Sequence, residues 1–164
     1  MSSPQNMIVA QKLTDRESWG KTLCDSAKEV FRMMVGVELI APDQNDPPVT
    51  ANFTGMVGLA GDLCGILTVR CSLSSAMTIA SHMLGVQDDE AASHQCDAVG
   101  EICNMVAGSF KAKIPGIEDK CMLSVPTVII GEDYELHSLT VGERIDVPLL
   151  LQGEPIWFTL EVRN

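Results

Sequence analysis

The chain reads as an α+β protein, a mostly antiparallel sheet covered by helices, in the order α-β-β-α-α-β-β-β with one further strand allowed. Three observations give that class. Two strand-like runs meet at Gly61-Asp62, the signature of a tight antiparallel hairpin. Helical periodicity is confined to the N-terminal part and the middle of the chain. From Cys121 onward the sequence is rich in strand formers, and no regular βα alternation runs through it.

Taken in order, residues 1–14 are set apart as an N-terminal extension and residues 15–164 as one domain. Asp15 to Gly36 predicts a long helix, with Asp15 as its cap, Gly20 as its weak point and Leu23, Ala27, Val30 and Met34 on the apolar face. Val37 to Ile40 is a short apolar run. Ala41 to Val49 (APDQNDPPV) is a loop, since its prolines and Asn/Asp residues leave little else. The hairpin strands are Asn52 to Ala60 and Leu63 to Cys71. Their glycines at 55, 58 and 61 lie inside a strand pattern with no lysine behind them, so they do not make a phosphate loop.

Ser72 to Leu84 predicts a second helix, capped by Ser72 or Ser74 and ended by Gly85. The acidic stretch within Gln87 to Ser93 is expected to start the next helix, which carries Cys96 to Lys111 and stops at Pro115-Gly116. Cys121 to Ile130 is a strand whose Pro126 demands an edge position or a break. Tyr134 to Thr140 alternates as a strand would. Arg144 to Leu151, interrupted by Pro148, and Ile156 to Val162 complete the sheet.

Composition excludes several kinds of protein. At 164 residues and 46% hydrophobic content the chain can bury a core without cross-links. A formal net charge of −11 speaks against binding nucleic acid or an anionic membrane surface. No apolar run is long enough for a membrane span, and the first residues do not resemble a signal peptide, so a cytoplasmic location is expected. The six cysteines form no CxxC pair and read as small hydrophobes of the core. His82, His94 and His137 lie far apart, with no zinc-binding spacing. No nucleophile elbow, dinucleotide fingerprint or Walker motif is present.

The informative segment is the helix at 96–111. At about 100° per residue, Val99, Ile102, Cys103, Val106 and Phe110 make a core stripe. Asp97, Glu101, Asn104 and Gly108 share the opposite side. Spacing alone describes the wet side of any surface helix. Asn, however, is a poor helix filler, and Gly100 and Gly108 cost stability that Ala would not. With the self-contained chemistries absent, a helix face that contacts another macromolecule is the remaining reading.

The segment Gly100–Gly108, GEICNMVAG, resembles the E-x-x-N signature of the CheC/CheX/FliY family of chemotaxis phosphatases. Leu123–Gly131, LSVPTVIIG, resembles the segment that follows that helix in CheX-type members, and the resemblance runs from about Trp19 to the end. The equivalent place on the first helix reads Glu29-Val-Phe-Arg32, without the Asn, which points to the single-site, CheX-like form.

The resemblance implies a protein phosphatase acting on the aspartyl phosphate of a CheY-like response-regulator receiver domain. Asn104 would orient the attacking water and Glu101 would pair with a lysine of the receiver. Gly100 and Gly108 would leave room for the receiver's backbone, with Asp97 as a further possible contact. No cofactor is expected on this chain, since the Mg2+ belongs to the receiver. A homodimer joined at sheet edges, drawn from Val125 to Val147, is also implied. The alternative is a non-catalytic adaptor or flagellar-switch binding protein using the same helix face.

Overall fold

The computed structural model describes residues 4–46, 48–132, 134–138 and 141–163, with side chains described from Glu17 onward. The first helix, α1, spans Pro4–Val30 and so begins eleven residues before Asp15. Nothing between Gln5 and Thr14 breaks a helix, and proline is tolerated in a first turn, where its missing N–H is no loss. The helix runs on into a π-helical turn, Phe31–Val35, closed by Gly36 in the left-handed region, whose N–H bonds the Phe31 carbonyl. His82 Nδ1 lies 2.9 Å from the Val35 carbonyl oxygen. A carbonyl can only accept, so this nitrogen carries the proton and ties the π turn to the second helix.

Strand β1 is Leu39–Ile40, and the hairpin follows as β2 (Phe53–Gly61) and β3 (Gly65–Cys71). Helix α2 is Leu73–Leu84, with Ser72 as its cap: the Ser72 hydroxyl accepts from the Ser75 N–H, and Gly85 ends the helix in the left-handed region. The acidic stretch forms its own single turn, α3 (Asp88–Ala91), and does not run into the next helix, α4 (Gln95–Lys113).

Pro126 acts as both an edge marker and a break. Strands β4 (Cys121–Leu123) and β5 (Thr127–Ile130) lie on either side of it, and both pair with β2 at the margin of the sheet. Strands β6 (Gly142–Leu151) and β7 (Glu154–Arg163) meet in a two-residue turn in which Gln152 and Gly153 both have positive φ, a geometry that glycine favours.

The strand expected at Tyr134 to Thr140 does not form over residues 134–138; residues 139 and 140 lie outside the described residues. This segment crosses the sheet surface, with the Tyr134 hydroxyl hydrogen-bonded to Thr54. Glu135 to Ser138 are all exposed, so the alternation in the sequence is not matched by alternate burial.

The sheet is antiparallel throughout, in the order β1-β6-β7-β3-β2 with β4 and β5 end to end along the outer edge of β2. Alternate residues of the long strands, among them Val57, Leu67, Val69, Phe158 and Leu160, are fully buried on one face. Helices α1, α2 and α4 cover that face, with α4 in the middle against α1, α2 and β2. Phe31 meets Phe158 edge to face, ring centroids 5.9 Å apart, and so fastens the end of α1 to β7.

Candidate functional site

The site is carried by α4, and its position is set by burial. Val99, Ile102, Cys103, Val106 and Phe110, the expected core stripe, are all fully buried. At Gly55 of β2 the helix comes so close that an added Cβ would lie 3.2 Å from Cys103 Cβ and 3.3 Å from the Val99 carbonyl oxygen. Gly100 has the same use on the other flank. A Cβ there would lie 3.3 Å from Val128 Cγ2, beside Pro126. Gly100 is therefore buried against this chain's own β5, which corrects the expectation that it leaves room for a partner. Gly108 is open: nothing lies within 4 Å of a Cβ placed there.

On the outer side, Asp97 and Glu101 are exposed and Asn104 is half-buried. Among the described residues the side chains of Glu101 and Asn104 make no hydrogen bond or ion pair. A carboxylate and an amide three residues apart on one helix face neighbouring turns of the same surface. Together they offer one anionic acceptor and one group that both donates and accepts.

The C-terminal end of α4 is tied down. The Lys111 ammonium donates to the carbonyls of Glu118 (2.7 Å) and Cys121 (2.6 Å). Lys113 bonds Ser109 and pairs with Glu29 of α1. The Lys113 ammonium holds the Glu29 carboxyl below its usual range. The acid on the first helix is thus already engaged in joining α1 to α4, consistent with a single outward-facing site.

Of the cysteines, Cys71, Cys103 and Cys121 are buried as expected, and Cys24 and Cys96 are half-buried. Cys64 is exposed and departs from that expectation, because it sits in the turn between β2 and β3. Burial pushes the thiols of Cys71 and Cys103 up to about 12. No group of three or more His, Cys, Asp or Glu is arranged to hold a metal among the described residues. No helix among them is long and apolar enough to cross a membrane.

Comparison with known proteins assigns the fold to a family. The family model for chemotaxis phosphatase CheX matches residues 53–150, more than half of the 164 residues. The chain belongs to the CheX family. The CheY-P phosphatase CheX of Thermotoga maritima is 27% identical over 142 residues, which cover 80% of this chain and 88% of that protein. Chemotaxis protein CheX from Vibrio vulnificus superposes with a TM-score of 0.76 at 22% identity, over 88% of this chain and 96% of the other. A chain of the CheX–CheY–BeF3–Mg complex from Borrelia burgdorferi gives a TM-score of 0.70 at 24% identity, over 88% and 97%. At such identities the superpositions speak for the fold: one helix-covered antiparallel sheet shared across the CheX family.

Proposed function

We propose that this CheX-family protein hydrolyses the aspartyl phosphate of a CheY-like receiver domain, with α4 as the docking element. The observation that carries this is a Glu101 and an Asn104 without partners among the described residues, on the outer face of a helix whose inner face is fully buried. A helix so packed holds both groups in fixed relation, as positioning catalysis requires. The names of the relatives support the substrate: the Thermotoga protein is a CheY-P phosphatase, and the Borrelia structure contains CheY with magnesium.

In this reading water attacks phosphorus, the bond to the receiver's aspartyl oxygen breaks, and the products are a free carboxylate and inorganic phosphate. Asn104 orients the water through its amide, a role analogous to that of the water-positioning glutamine in GTPases. Glu101 pairs with a receiver lysine and sets the docking register. The Mg2+ is held by the receiver, and this chain needs no cofactor of its own. The protein works in the cytoplasm, as a homodimer joined at sheet edges.

The test follows phosphate loss from phosphorylated receivers with and without the protein. Asn104→Ala is expected to lower the rate by on the order of 10²-fold while leaving receiver binding nearly unchanged, since a misplaced water loses the positioning term. Glu101→Ala is expected to weaken binding by roughly tenfold, as loss of a charge-assisted contact does. An N104A protein as fast as wild type would overturn the mechanism. A wild-type protein that binds phospho-receiver without accelerating phosphate loss would make it an adaptor of the flagellar switch or another pathway.

A further inference from the structure

The sheet face opposite the helices carries a cavity. The register places Thr54 beside Arg70 and Trp157 in one row, Met56 beside Thr68 and Thr159 in the next, and Ile66 beside Glu161 and Arg144 in the third. Such a face would ordinarily be wet, yet Thr54, Thr68 and Thr159 are buried. The crossing segment 134–138, anchored through Tyr134 and Thr54, covers part of this face. Between segment and strands lies a cavity of about 550 Å³, with Thr68, Arg70 and Thr159 on its floor and Met56, Ile66 and Leu136 among its apolar walls. That is the size of a small-molecule site.

Its charge is unusual for this chain. Three of the five arginines, Arg70, Arg144 and Arg163, line it, in a protein of net charge −11. Arg144 is engaged by Asp146 and Glu161, and Thr159 donates to Asp146. Arg70 is not so engaged. Its Nε is buried with no hydrogen-bond partner, and its guanidinium forms no ion pair among the described residues. A buried guanidinium N–H without an acceptor is an incomplete arrangement. Nε itself is closed to solvent, so a bound carboxylate meets Arg70 at its terminal nitrogens, where an anion balances the unpaired charge.

We propose that this cavity binds a small organic carboxylate with an apolar body, its carboxylate on Arg70 and its body against Met56, Ile66 and Leu136. The neighbouring carboxylates of Asp146 and Glu161 disfavour a doubly charged phosphate more than a singly charged carboxylate. The site is independent of α4, which lies on the other side of the sheet.

The experiment uses the full chain and titrates it with hexanoate and with phenylacetate, following the arginine Nε–Hε and methionine methyl NMR signals. Acetate, hexanamide and phenyl phosphate are the comparison probes. Saturable shifts at Arg70 and Met56 are expected with hexanoate or phenylacetate, and affinities roughly tenfold or more weaker for acetate and hexanamide. Arg70→Met should abolish the shifts at Met56. Ile66→Glu, at a partly exposed position, should do so without disturbing the fold, by setting a carboxylate in the ligand's place. The proposal fails if neither carboxylate gives a saturable shift in wild type, or if the folded R70M or I66E protein binds as wild type does. Phenyl phosphate binding more tightly than phenylacetate would overturn the carboxylate assignment.

Discussion

Gly55, Gly100 and Gly108 look alike in the sequence and do three different things. Gly55 admits α4 to the sheet against backbone that cannot retreat, so Gly55→Ala should lose about 1–3 kcal/mol, read as a lowered Tm. Gly100 faces the end of a Val128 side chain, which can shift by a few tenths of an ångström, and its alanine variant should cost less. Gly108 is open, and Gly108→Ala should stabilise the protein by up to about 1 kcal/mol on helix propensity. If the receiver's backbone approaches there, the same stabilised variant will bind it more weakly. That combination separates docking from folding. The thiols divide as sharply: Cys64 should be alkylated first in the native protein, while Cys71 and Cys103, buried with thiols near 12, should react only on unfolding. Mass spectrometry after a brief alkylation reads both.

Helix α2 shows how much an element owes to its first residue. Ser72 accepts from the Ser75 N–H and donates to Glu154 at the start of β7, 2.7 Å away, so it both caps the helix and ties it to the sheet. Ser72→Ala should cost about 1–2 kcal/mol in chemical denaturation. This cap, its closing Gly85, the β2–β3 hairpin and the Pro126 break were legible because each is set by residues near in sequence. So was the Glu101–Asn104 face, through the 3.6-residue period of α4. The start of α1 was not legible, because its first turns contain neither a cap signal nor a breaker. The 134–138 segment was misread because alternation in sequence does not say whether the backbone finds a strand to pair with, and Glu135 to Ser138 are all exposed. Gly100 was assigned to a partner because its neighbour Val128 is 28 residues away in sequence and meets it only in the fold. The Arg70 cavity could not be read at all, being assembled from strands at 56, 66–70 and 159–163 and from the crossing segment.

The whole molecule is a single sheet with helices on one side only, and its two margins differ. The β4–β5 margin displays exposed Met122, Val125 and Ile130, an apolar edge of the kind that pairs with another chain unless it is blocked. If the homodimer forms there, Ile130→Lys should convert it to a monomer by light scattering without lowering Tm, since that side chain is already largely exposed. A dimer that survives the change points instead to the β6 margin.

The one-sided layering bears on how such a dimer would meet its substrates. Antiparallel joining of two identical edges places the two-fold axis perpendicular to the sheet, so both helix layers, and both copies of α4, look in the same direction. Two receivers tethered close together could then be engaged at once, and residence on a clustered target would exceed the affinity of either contact alone. Parallel joining would point the two α4 faces in opposite directions and forfeit that avidity.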